Sequence, residues 1–396
     1  MTNYSVLGEP GNCLRWAHKL LLILLAGILL TACSTPYIPP DYSSRPDHHT
    51  EFKGLLDLAE DSPDQTLDVL LVHGMCTHDL NWAANTIEAL REASGAQYAN
   101  DQEPADSQLG GIQIYQRTLN ASTRKLRVNA IVWSPLVTGL KKQLCYDQTK
   151  KTELCRSAPS STLGYPHQRA RINSMMKDGL LNDCLADAII YQGRARDEIS
   201  KLLQQAILAT LANSGGQMTS TVSLRKVSSH LVVITESLGS KMAFDALYQL
   251  LQSDQNEVSA AAANTFGRTV QIFMGANQIP ILALGDQTLN GNSEAGRYLA
   301  DPLAELIHRK RIGSLGDRLT PPRVVAFTDP NDLLSYVLSP YQPPKPYDVV
   351  DVVVSNDDTY FGLIENPLAA HMGYRKNGDV MQSIVCGHPA SAACSR

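Results

Sequence analysis

The sequence predicts an α/β fold: a mostly parallel, doubly wound sheet with helices on both faces. Three observations carry this expectation. Short apolar runs rich in β-branched residues recur at 67–72, 126–133, 231–236, 269–274, 323–327 and 349–355. Continuous rather than alternating hydrophobicity marks strands buried on both faces. Stretches of helical periodicity separate several of these runs, an alternation that builds parallel sheets from βαβ units. Residues 231–251 compress one such unit: an apolar strand stops at Thr235-Glu236-Ser237-Leu238-Gly239. A helical pattern of Met242, Phe244, Leu247, Leu250 and Leu251 begins at once.

Residues 1–32 read as a targeting segment and stand apart from the fold. Arg15, His18 and Lys19 form a basic flank, residues 20–30 are nearly all Leu, Ile and Ala, and Leu30-Thr31-Ala32-Cys33 follows. The apolar run is shorter than the roughly 20 residues a spanning helix needs. This arrangement resembles a bacterial lipoprotein signal peptide. The resemblance implies that Cys33 is lipidated and becomes the first residue of the mature chain. It also implies a lipid-anchored place in the cell envelope and, because Ser34 rather than aspartate follows, the outer membrane. Residues 33–60 are expected to be the lipidated cysteine and a Pro/Ser-rich, semi-rigid tether. His48 and His49 have no cysteine or acidic partner at ligand spacing, so they are expected to be solvated and no metal is expected.

Residues 61–396 are expected to form the folded domain, with a helical and irregular insertion at about 95–225 that shapes a pocket. The formal net charge of −5 is mildly acidic, and the one basic run is Arg309-Lys310-Arg311. That is too little for a nucleic-acid footprint. Of eight cysteines, Cys13 falls in the leader and Cys33 is the lipidation site. Six remain, and an even number in an oxidising compartment suggests disulfides, with free buried thiols as the alternative. Cys145 with Cys155, and Cys386 with Cys394, close the shortest loops, which leaves Cys76 with Cys184.

Along the chain, the strand at 67–72 ends in His73-Gly74-Met75-Cys76. A helix is expected over 79–93, with Trp82, Ile87, Leu90 and Ala93 on one stripe. Residues 95–110 are small and polar and read as a surface loop. Residues 111–119 alternate like a half-buried strand, and 126–133 form another. Residues 138–170 are irregular. A long helix is expected over 180–212, with Gly193 a point of interruption and 213–216 (Asn-Ser-Gly-Gly) its stop. Strands at 269–274, 323–327 and 349–355 complete the set. The strand at 323–327 is followed by Thr328-Asp329-Pro330-Asn331-Asp332, and His371 lies in the loop beyond the last strand.

Ligands of parallel sheets sit at the carboxyl ends of the strands. Three of those ends carry Ser237, an acid within 329–332, and His371, in the chain order Ser, Asp, His. A serine hydroxyl needs a base to become a nucleophile. A histidine supplies the base and later the acid, and a carboxylate fixes its tautomer. With these residues the chain resembles the α/β-hydrolase family in its lipase and esterase branch, from about residue 67 to the C-terminus.

The resemblance implies a strand-turn-helix nucleophile Ser237 with Gly239 at the close approach, and base His371. It also implies an oxyanion hole of the Met75 and Leu238 amides beside His73-Gly74, His73 shaping the loop rather than acting as base. Asp332, followed by Leu333-Leu334, fits the family's acid position; Asp329, nearer the strand end, is the alternative. Thr235 stands where the family has its first glycine. The expected activity is cleavage of carboxylic, conceivably lipid, esters without a cofactor, with the membrane met through Cys33. Thioesterase or peptidase action, or a non-catalytic envelope lipoprotein using the same scaffold for binding, are the competing readings.

Overall fold

The computed structural model describes residues 19–21, 34–35, 38–45, 49–99, 105–149, 152–156, 167–211, 228–287, 301–311, 321–339, 347–360 and 364–394. Cys33 and the helix stop at 213–216 lie outside them. The main sheet has ten strands. In chain order they are β1 (Asp41–Ser44), β2 (Thr66–Val72), β3 (Gln97–Tyr98), β4 (Ala105–Leu109), β5 (Ile112–Ala121), β6 (Arg124–Val132), β7 (His230–Glu236), β8 (Thr269–Gly275), β9 (Arg323–Thr328) and β10 (Val349–Val353). Across the sheet the order is β1-β10-β9-β8-β7-β2-β6-β5-β3, with β4 paired to β5. The six strands from β10 to β6 are parallel. The outer pairings are antiparallel.

The apolar runs form strands because both faces of the sheet are covered. In β7, Leu231 and Val233 enter one hydrophobic core while Val232 and Ile234 enter the other. That is the two-residue period of a strand read by two separate layers. The α-helices of six residues or more are α1 (Leu55–Glu60), α2 (Leu80–Ser94), α3 (Pro135–Lys141), α4 (Ala186–Gln192), α5 (Arg196–Leu211), α6 (Leu238–Leu251), α7 (Asn256–Gly267), α8 (Pro302–Arg311), α9 (Pro367–Met372) and α10 (Gly378–Cys386). Leu55, Trp82, Ile87, Val380 and Ile384 bring α1, α2 and α10 onto one face. Leu203, Ile207, Met242, Leu247 and Leu306 bring α5, α6 and α8 onto the other. Local chemistry sets the ends of α2: the Asp79 side chain accepts the Asn81 N–H at the start, and Gly95 takes φ 63° at the end.

Several expectations change. Residues 41–44, read as tether, pair as β1 with β10 along the sheet edge, and Phe52–Lys53 pairs with Gly387–His388. Leu55 and Leu56 are buried. The backbone hydrogen bonds available at an unpaired sheet edge outweigh the low periodicity of this stretch. The insertion is shorter than 95–225, because β4, β5 and β6 belong to the main sheet; the helical excursion starts after β6. The long helix over 180–212 divides into α4 and α5 at Gly193, preceded by a π-helical stretch Met175–Leu185. His371 sits on the short helix α9 rather than in a loop, because Asn366 caps the Leu368 and Ala369 amides. Three disulfides join Cys76 to Cys184, Cys145 to Cys155 and Cys386 to Cys394.

Chain order sets the position of the crevice. After β2 the next parallel strand, β6, lies on one side of it, and the following one, β7, on the other. This reversal opens a crevice between β2 and β7 at their carboxyl ends, where parallel sheets hold ligands. His73-Gly74 leaves β2 there and Ser237 leaves β7 there.

Candidate active site

Ser237 joins β7 to α6 with φ 51° and ψ −127°. A non-glycine residue in that region is strained, and such residues cluster at functional sites. Its amide donates to Gly275 O at 2.8 Å. Its Oγ is buried and has no hydrogen-bond partner among the described residues. The turn is tight enough to dictate two glycines. A Cβ on Gly239 would lie 2.3 Å from His73 O, and one on Gly74 would lie 2.6 Å from Ser237 Cβ. Thr235 fits because it turns its hydroxyl onto Ser240 Oγ at 2.8 Å and is itself buried.

The histidine comes from α9, beyond β10. His371 Nδ1 contacts Asp332 Oδ1 at 2.9 Å and Oδ2 at 3.0 Å. Nδ1–H therefore donates to the carboxylate, and Nε2 is left as the basic nitrogen. Asp332 also accepts the Leu334 amide at 3.0 Å and the Tyr374 hydroxyl at 3.0 Å. Tyr374 in turn accepts the Asp329 amide at 2.8 Å. Burial, then the Asp332 charge, hold the Tyr374 phenol well above its ordinary pKa. The ring of Tyr374 packs 3.5 Å from where a Gly275 Cβ would stand, so one glycine touches both the Ser237 amide and the histidine segment. Glu236, next to Ser237, lies within the electrostatic reach of His371.

Of the two candidate acids, Asp332 meets His371. Asp329 accepts the Asn331 and Asn356 amides at 2.8 and 2.6 Å and has no hydrogen bond to the histidine. Asn356 donates to Ala370 O at 2.8 Å, so Asp329 braces the backbone just before His371. Its neighbour Glu365 has its carboxyl pushed up to about 7 by burial, then by the Asp329 charge.

The loop after β2 is held from below. His73 Nδ1–H donates to Gly74 O at 2.7 Å, and Nε2 accepts the Trp133 and Ser134 amides at 2.9 and 3.2 Å. Its ring stacks on Trp133 at 4.6 Å. Burial, then His78, keep His73 well below its ordinary pKa. It is thus a neutral brace. His78 Nε2 bonds to Met75 O at 3.0 Å, and burial lowers its pKa to about 4. Leu238 is the first residue of α6, whose amide has no partner within the helix. No family model matches the chain, and no curated protein matches it at a significant level.

The Cys76–Cys184 disulfide ties this loop to the helical excursion. Around it, the fully buried Lys141 ammonium lies 2.9 Å from both Asp183 and Asp187. Thr77 Oγ1 donates to Asp183 at 2.6 Å. Burial pushes the Asp187 carboxyl up to about 7 against the pull of Lys141. On α6, Lys241 pairs with Asp245 and Asp286 at 2.8 Å each. Sequence reasoning missed Tyr374, Asn356, Glu365 and Lys141. Tyr374 left one usable signal, an aromatic three residues beyond the candidate base. Among the described residues no group of three or more His, Cys, Asp and Glu side chains is arranged to hold a metal ion.

Proposed function

We propose that the protein is a serine hydrolase of the α/β-hydrolase type that cleaves carboxylic esters through an acyl-enzyme. The observation that supports it most is a partnerless Oγ on the strained Ser237 turn (φ 51°), together with a bonded His371–Asp332 pair beyond the carboxyl ends of the same parallel strands. His371 Nε2 takes the hydroxyl proton as Ser237 Oγ attacks the ester carbonyl carbon. Asp332 stabilises the imidazolium and fixes its tautomer. The Met75 and Leu238 amides receive the developing oxyanion, each donor worth about 3 kcal/mol of barrier. Collapse returns the proton to the departing alcohol, and water repeats the sequence to release the acid.

A fluorophosphonate probe tests this directly. The native chain should take one label, on Ser237, and Ser237→Ala should take none while keeping its far-UV spectrum. A native chain that stays unlabelled would sink the proposal. The anchor is tested separately by growth on labelled palmitate: Cys33→Ala should lose the label, and retention would reject Cys33 as the acylation site.

A further inference from the structure

We infer that the end of the molecule bearing the Ser237 site docks face-down on a lipid surface. Large exposed apolar side chains gather at that end. Leu284 follows β8, Leu333 and Val337 follow β9, and Tyr360 and Ile364 follow β10. Ile38 precedes β1, which runs antiparallel to β10 and so starts at the same end. Leu284 is 64% and Leu333 60% exposed. The excursion after β6 adds Leu181 and Ile189, and Cys76–Cys184 binds it to the loop after β2. Of the exposed apolar side chains carried on the strands of the main sheet, Tyr98 lies toward the opposite end: on β3, it pairs near the amino end of β6 through β5. Scattered exposed apolar residues need no explanation, but segregation to one rim marks an interaction surface.

The path of the N-terminal segment identifies the occupant. Ser34–Thr35 pairs antiparallel with Thr359–Tyr360. Cys33 precedes Ser34 in the sequence, so the lipid that the lipoprotein reading expects on it is tethered next to the strand paired with Thr359–Tyr360. The segment does not hold the domain away from the bilayer: it runs along the sheet as β1. The lipid holds the chain at the bilayer, and the rim gives the domain a second contact with it. The ester entering from this side is one whose carbonyl reaches Ser237 without its chains leaving the bilayer. That last point rests on the hydrolase reading; the docking does not.

The test uses the chain from residue 33 onward carrying Cys33→Ala, which has neither the leader nor a lipid on that residue, with zwitterionic phosphatidylcholine vesicles in a sedimentation assay. The protein should sediment with the vesicles, and Leu284→Ser, Tyr360→Ser and Ile364→Ser combined should weaken partitioning at least tenfold. Cleavage of a short water-soluble ester should be the same with and without the three changes, which also reports folding. In separate samples, Ile364→Trp fluorescence should be quenched by brominated lipid and Tyr98→Trp should not. The inference is overturned by absent vesicle binding, by binding indifferent to the three changes, or by equal quenching at both tryptophans. A concentration-dependent dimer dissolved by the same changes, with no vesicle binding, would assign the rim to a second copy and overturn it too. Vesicle binding without ester cleavage supports docking and removes the esterase reading.

Discussion

Asp332 and Asp329 stand three residues apart in one turn and do different work. Asp332 touches the base; Asp329 holds the backbone that carries it. Asp332→Asn should therefore lower kcat by about 10⁴-fold, the scale of losing the tautomer-fixing carboxylate. Asp329→Asn should chiefly lower the melting temperature, with kcat falling far less. Equal losses of kcat in steady-state assays would contradict this division. Glu365 gives a pH prediction. Its folded pKa, about 7, is raised above an ordinary 4.5, so the folded state holds the proton more tightly than the unfolded one. The contribution is fully present below about pH 4.5 and is lost as pH rises to about 7. Glu365→Gln, which mimics the protonated acid, should flatten that decline in a series of melting temperatures and raise stability at pH 8. A steeper decline would reverse the sign of the argument.

The loop after β2 is a short element fixed on several sides: a disulfide, a neutral histidine stacked on tryptophan, and a buried lysine with two aspartates. Its disulfide spans 108 residues, against 10 for Cys145–Cys155. In the loop-entropy model these are worth about 5 and about 3 kcal/mol. Replacing both members of Cys76–Cys184 with serine should cost more stability by denaturant titration. It should also lower kcat, since Cys76 adjoins Met75, while the Cys145–Cys155 pair replaced the same way should leave kcat nearly unchanged. The elements themselves were largely legible in the sequence. Uninterrupted runs such as Leu231-Val-Val-Ile234 have one good solution, a strand buried on both sides. Asp79 and Gly95 bracket a helix by known cap chemistry. Strand β1 was not legible, because its stability comes from an unpaired edge far along the chain and not from its own Asp-Tyr-Ser-Ser. The extent of the insertion is not legible for a related reason: the alternation over 111–119 marks β5 as a strand, but only its pairing with β6 and with the polar β4 shows that both belong to the main sheet. Tyr374 and Asn356 act through hydrogen bonds to distant parts of the chain, which leave no periodicity in the sequence.

For the molecule as a whole, the sheet is an inner set of six parallel strands with antiparallel margins. Strands β2 and β7, flanked on both sides and covered on both faces, should be the last to open. Native-state hydrogen exchange should show the strongest protection at Val69–Leu71 and Val232–Ile234, and the weakest at β1 and β3. Uniform protection across all ten strands would argue against this graded stability.

Strand β1 has a consequence for biosynthesis. Ser43 and its contact Asp351 are 308 residues apart, so the first strand to be made can be completed only by the last parallel strand. Until then the amino-terminal segment waits unpaired, and contacts of such long sequence separation form slowly. A chain stalled or cut before β10 keeps an open sheet edge, which is a template for association. The same strand also ties to the segment after β10: Tyr42 bonds to Ser383 and stacks on His388. The sheet edge thus closes only after β10 has been made, and products cut short before it should aggregate.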